Sequence, residues 1–318
     1  MHRPWRLFSS QFYLFSPVSI SNWANSMLRM KTEMNKKPLA VKIFLYVALI
    51  SLSLTLLLPL ASLVLTSFKT FDESVGVYRW IPNQFNFNNY RDVFALEGFN
   101  YWGYLRNTLT IFVLKAIGTV LTCTLTAYGL VRFNVKYRNL IFTVLLSVIL
   151  LPGELLAIPM YQLYLSVGWF DTYYPLFTAC FFGTDVFMIF MFRQFFMSIP
   201  KELFEAAETD GASEFKIYSR ILLPLSRPAI MTCLILYFTG TYNDLYGPLI
   251  YISSHDKWTM AQGIKSIEDI FNLGPRDYIV PWNLVSAATL LSLIPVLLVF
   301  GFAQKQFMDS MARTGIKG

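Results

Sequence analysis

Six stretches of this chain are apolar over the length needed to cross a hydrocarbon layer. They occupy residues 43–65, 108–131, 140–161, 174–192, 229–251 and 279–303. A helix rising 1.5 Å per residue needs about 20 such residues for a bilayer core of about 30 Å. Within that core every backbone N–H and C=O must be satisfied inside the segment, and for runs of this length the helix does so. Charge agrees with this reading. Only 14% of residues are charged, against about 25% in soluble domains. The expected fold class is an all-α membrane protein with six transmembrane helices.

Six spans return the chain to the side from which it starts. Lysine and arginine are retained in short cytoplasmic loops, so their distribution orients the spans. Segments 1–42, 131–139, 193–227 and 304–318 hold eighteen of the 26 basic residues. Segments 67–107, 162–173 and 251–279 hold seven, and Lys115 lies inside a span. Both termini are therefore expected in the cytoplasm, N-in and C-in. The net charge of +7 becomes an orientation signal, and nucleic acid is not an expected partner. Cys123, Cys180 and Cys233 lie in separate apolar runs without CxxC spacing and read as buried, reduced thiols. His2 and His255 are too few for a ligand cluster. No metal or cofactor is expected.

The organisation that follows has four parts. Residues 1–40 are a basic, disordered cytoplasmic tail, and 41–106 carry the first transmembrane helix and an external loop. Residues 107–304 form a transmembrane domain, and 305–318 form a second cytoplasmic tail. The first tail lacks the apolar core and small-residue cleavage site of a signal peptide. MNKKPLAVKIFLY, from Met34, is by itself a complete lead-in to the first span. Met27, Met30 and Met34 are thus alternative starts to a translated tail, and an intact mass decides between the two.

Between the fourth and fifth runs lies KELFEAAETDGASEFKIYSRILLP, residues 201–224. Pro200 suits a first helical turn, and Glu202 and Glu205 suit the positive end of the helix dipole. A short helix is predicted over 201–209, with Leu203, Phe204 and Ala207 on its apolar face. Asp210-Gly211 is a stop and turn. Ser213 can cap a second helix to about Leu223, with Phe215, Tyr218 and Leu222 on one side, before Pro224 and Pro228. By itself this is either a well-capped connection or a knob that fits a cleft on another protein.

Charged groups inside spans are functional candidates. They are Lys115, Glu154 in the sequence LPGEL, Asp185, and Asp244 beside Asn243. No pairing among them is evident from the sequence. Glu154 and Asn243 lead the substrate-contact candidates. Asn243-Asp244 can also cap a break before Gly247-Pro248. Gly118, Thr122 and Thr126 recur every four residues, a pattern that lets helices approach closely in lipid.

Glu205-Ala206-Ala207, then Gly211, Ile221, Leu223 and Pro224, in the loop between the fourth and fifth of six spans, resemble the EAA motif of ABC importer permeases. The wording from Phe195 and Ser198 through Asp210 is similar to the carbohydrate-uptake branch, related to the maltose permease pair. Ser67-Phe68-Lys69-Thr70, Asn88-Asn89-Tyr90, Asn107-Thr108-Leu109 and the terminal Gly-Ile-Lys-Gly are similar to its smaller, six-span partner. The resemblance covers about residues 41–318. Tyr242-Asn-Asp-Leu-Tyr departs from a Trp-Asn-Asp-Phe-like run, and the N-terminal extension is a second departure.

This resemblance implies a type I ABC importer (MetI-like) permease fold in a bacterial cell membrane. It implies a heterodimer with a second permease subunit, two cytoplasmic ABC ATPase subunits, an extracellular solute-binding protein and a sugar substrate. Loop 198–224 would couple to the ATPase. Glu205 would face a basic residue there, Ala206 and Ala207 would allow close approach, and Gly211 would set the angle between the two arms. Asp210, Ile221, Leu223 and Pro224 complete the motif. The chain has no GxxxxGK[ST] and is expected to be non-catalytic, with ATP hydrolysed by its partners. A polyamine or anion cargo remains the alternative. An ATP-independent secondary transporter would instead favour an internal repeat and paired titratable groups.

Overall fold

A computed structural model describes residues 38–77, 79–133, 136–149, 152–270 and 280–315. The N-terminal tail, the loop at Gly274-Pro275 and the last three residues lie outside the described residues. Helix α1 is Leu39–Ser67. It is apolar on every side and almost wholly exposed, as a lipid-facing span is, and its main contact is with the last helix. The external loop expected after it is ordered by a short helix, α2, Asn88–Ala95. Buried Asn89 is its fastener. Its amide donates to the carbonyls of Ser67 and Lys69 at 2.7 and 2.8 Å, and its Oδ1 accepts from Asn283 at 3.1 Å. One side chain thus joins the end of α1 to the start of the last helix.

Helix α3, Tyr101–Arg132, runs unbroken for 32 residues, and Asn100 caps it through the Gly103 amide. At 1.5 Å per residue it is about 48 Å long. Its small-residue row works as expected: Gly118 lies against Phe181, and the Thr122 hydroxyl donates to the Cys180 carbonyl at 2.9 Å.

The third apolar run differs from a single helix. It forms α4, Arg138–Val148, a 3₁₀ turn Gly153–Leu156 and α5, Ala157–Ser166. Pro152 supplies no N–H and disfavours helix just before it, so the break falls at LPG. The fourth run forms a helical span over Tyr174–Met197 with Gly183 at φ 63°. Beyond that glycine comes α6, Val186–Met197, capped by Asp185 through the Met188 amide.

Next come α7, Glu202–Thr209, and α8, Glu214–Ile217. A π-helical turn, Tyr218–Leu222, follows, which widens the chain where Pro224 cannot donate to a regular ladder. After a 71° bend come α9, Arg227–Tyr242, and α10, Tyr246–Tyr251. Helices α11, Met260–Ile270, and α12, Trp282–Gly315, complete the chain.

Among the described residues four helices are long and apolar enough to cross a membrane, or five if the bent pair is one span. Two apolar cores hold the bundle. One gathers Ala127, Phe192, Ile217 and Cys233 around the α7–α8 end. The other gathers Tyr104, Phe238, Met260 and Ala287 at the far end of α3.

Candidate functional site

The 201–224 stretch folds as the two-armed loop that its punctuation predicts, with α7 beginning at Glu202. The first arm ends in a Schellman motif. Gly211 is left-handed at φ 71°. Its N–H donates to the Glu208 carbonyl and the Ala212 N–H to the Ala207 carbonyl, both at 2.9 Å. Ser213 caps the second arm through the Lys216 amide. Phe204 and Ala207 are buried and hold α7 against α3, α6 and α9 in a shared core. Glu205, Ala206, Asp210 and Gly211 face outward. Ile221 and Leu223 pack partly on the core, while Pro224 is exposed.

Two apolar-face assignments fail. Leu203 is 45% exposed and Phe215 75% exposed, although the helical spacing grouped them with core residues. Ile217, fully buried, takes the inward position in the second arm. The loop therefore exposes one large apolar side chain on each arm.

The sequence reading missed what ties the loop to the bundle. Arg132, the last residue of α3, sits between the two arms. Its Nη2 pairs with Glu208 of α7, and also with Glu214 Oε1 of α8 at 2.9 Å. Its Nε donates to both Glu214 oxygens at 3.2 Å. The Tyr128 hydroxyl, one turn earlier on α3, donates to Glu214 as well. Four residues before that, the Thr124 hydroxyl meets Tyr218 at 2.7 Å. A fork-shaped guanidinium is suited to hold two carboxylates at once. The available signal was opposite charge: a basic residue closing a span, and acids on both sides of a glycine turn.

The charges inside the spans behave differently from one another. Lys115 Nζ lies 3.6 Å from Asp244 Oδ2, with both side chains largely buried. This pairing was not evident in the sequence, which could not show that α3 and the α9–α10 break adjoin. Asp244 Oδ1 also accepts the Gly247 amide, in the first turn of α10, at 2.9 Å. Asn243 is exposed beside it and donates to the Thr239 carbonyl at 3.0 Å. Asp185 caps α6 and accepts the Tyr237 hydroxyl at 2.6 Å, so both of its oxygens have structural partners. The Glu154 backbone lies in the 3₁₀ turn, but its side chain lies outside what the structure describes.

Comparison with known proteins gives the arrangement a context. The family described as "Binding-protein-dependent transport system inner membrane component" matches residues 117–313. The arabinooligosaccharides transport system permease protein AraQ of Bacillus subtilis is 29% identical over 295 residues, covering 92% of this chain and all of that protein. The diacetylchitobiose uptake system permease protein NgcG of Streptomyces coelicolor is 27% identical, covering 83% of this chain and 85% of that protein. A crystal structure of a bacterial ABC transporter that imports the acidic polysaccharide alginate shares the fold. Its TM-score is 0.72 at 21% identity, over 85% of this chain and 99% of that one. Half of this chain's length and more lies within the matched family, and its all-helical bundle superposes on a solved transporter of this kind; the chain belongs to the binding-protein-dependent transport system inner membrane components.

Proposed function

We propose that this chain is the permease subunit of an ATP-driven importer that takes up a sugar or oligosaccharide through a bacterial cell membrane. It forms half of the translocation path, opposite a second permease subunit. An extracellular binding protein delivers the cargo, and two cytoplasmic ATPase subunits drive it. Relatives named for arabinooligosaccharide and diacetylchitobiose uptake support the cargo class. In this reading the chain crosses six times, N-in and C-in. The third crossing is α4 with α5, and the fifth is α9 with α10. The division at 1–40, 41–106, 107–304 and 305–318 follows. Lys115, Asp244, Asn243 and Glu154 are the candidates along the path, and the chain is not itself an enzyme.

The observation that carries the proposal is the outward edge of α7. Glu205 and Ala206 are exposed while Phe204 and Ala207 anchor the helix beneath them. A low surface at Ala206 flanked by the Glu205 carboxylate and by exposed Leu203 on the same helix suits a groove with an apolar floor and a basic rim. The test is co-purification after co-expression with candidate ATPase subunits. Wild type is expected to retain the ATPase. Glu205→Lys, which reverses the contact charge, and Gly211→Pro, which breaks the turn, are expected to lose it. Equal retention by all three would reject the docking role.

A further inference from the structure

We propose that Arg132 locks the Gly211 turn, so that the two arms move as one body and pass their displacement along α3 to the Lys115–Asp244 pair. The proposal rests on the coupling role given to the loop above and assigns the residue that transmits it.

A turn at a left-handed glycine is a flexible joint unless something holds it. At Gly211 nothing packs close: an added Cβ would have no neighbour within 4 Å. The two Schellman hydrogen bonds close the turn itself, so the angle between the arms is left to contacts beyond it. Glu208 lies three residues before Gly211 and Glu214 three residues after it, and the Arg132 guanidinium holds both. Opening or twisting the joint must pull one carboxylate away from a shared cation. The second anchor on Glu214, the Tyr128 hydroxyl, comes from the same helix. Both arms are thus referred to α3 and to each other through one side chain.

The geometry also selects α3 as the carrier. The loop's covalent neighbours are discontinuous. Helix α6 starts only at Val186, after a left-handed Gly183. Helix α9 stands 71° from the preceding segment and stops at Tyr242. Helix α3 has no break from Arg132 to Tyr101. Lys115 lies seventeen residues up this helix, about 25 Å from the clamp at 1.5 Å per residue. Its ion pair reaches the break between α9 and α10, where a small shift of α3 meets a segment with few ladder hydrogen bonds to resist it. A packed helix with ionic contacts at two levels is a physical route for coupling.

The experiment uses the assembled transporter, co-expressed with its ATPase and second permease subunits and placed in lipid nanodiscs. Cys123, Cys180 and Cys233 are replaced by alanine, and nitroxides are attached at Trp102→Cys and Leu249→Cys, both exposed positions. The distance between the labels is read before and after trapping with ATP and vanadate. With Arg132 in place, trapping is expected to shift the distance. With Arg132→Met, and separately with Glu208→Gln/Glu214→Gln, the ATPase is expected to co-purify while the shift is lost. The Gln pair keeps the side-chain shape and decides the matter should Arg132→Met fail to assemble. An unchanged shift in the Gln pair, even with a lowered melting temperature, would assign the clamp to stability alone and overturn the proposal. Failure of the unmodified protein to retain the ATPase would overturn the coupling role itself, and this inference with it.

Discussion

At the scale of single residues, Asp171 shows how much one side chain can organise. Its backbone is left-handed at φ 56°, a conformation that Asp and Asn adopt more readily than most residues. Its carboxylate accepts the Ser253 and Ser254 amides at 2.9 and 2.8 Å and the Lys257 ammonium at 2.8 Å. Lys257 also donates to the Asp171 carbonyl at 2.7 Å. The loop after α5 is thereby clipped to the turn after α10. Burial pushes the carboxyl up, but Lys257 and the serine donors together hold it well below its ordinary 3.8. A carboxylate depressed in the folded state stabilises it fully above its unfolded value and loses that share as the pH falls. Asp171→Asn is therefore expected to cost about 1–2 kcal/mol at pH 7, after discount for partial exposure. The cost should shrink below about pH 4, where the carboxyl of the unfolded chain begins to protonate while the folded one stays ionised. Melting curves in detergent at several pH values check this; parallel curves for the two proteins would refute it. Nothing in the sequence marked Asp171, because its partners lie more than 80 residues away.

At the scale of elements, the loop was the most legible part of the chain. Caps and turns are written in neighbouring residues, so Ser213, Asp210-Gly211 and the acidic first turn placed both arms correctly. Facing was less legible. A helical wheel groups residues that share a side but does not say which arc meets the core, hence the misassigned Leu203 and Phe215. Continuity was also hidden. Apolar character alone reads 140–161 as one span, whereas Pro152 divides it. Gly211 permits a clean test at this scale. With no neighbour near the missing Cβ, Gly211→Ala suffers only the left-handed backbone penalty, about 1–2 kcal/mol. Gly211→Asn should lose less, since Asn tolerates that conformation. Thermal unfolding of the three proteins ranks them, and an alanine variant as stable as wild type would contradict the Schellman geometry as the source of the turn.

At the scale of the whole molecule, orientation is open to direct measurement. Cysteines introduced at Phe215 and at Phe87, both strongly exposed, are placed in a background without native thiols. A membrane-impermeant maleimide is expected to reach position 87 from outside intact cells and position 215 only after the membrane is opened. Labelling of position 215 in intact cells would reverse the proposed N-in, C-in topology. The sequence by itself determined that the chain is helical and membrane-bound, where its loop turns, and which family it resembles. These rest on transfer free energy, backbone satisfaction and short-range caps, all of which accumulate locally along the chain. Only the tertiary structure decided which charges meet. Arg132 finds Glu214 across 82 residues, Lys115 finds Asp244, and Asn89 finds Asn283 across 194. An ion pair or buried hydrogen bond depends on a few ångströms of approach between helices, and that approach is set by how the whole bundle packs.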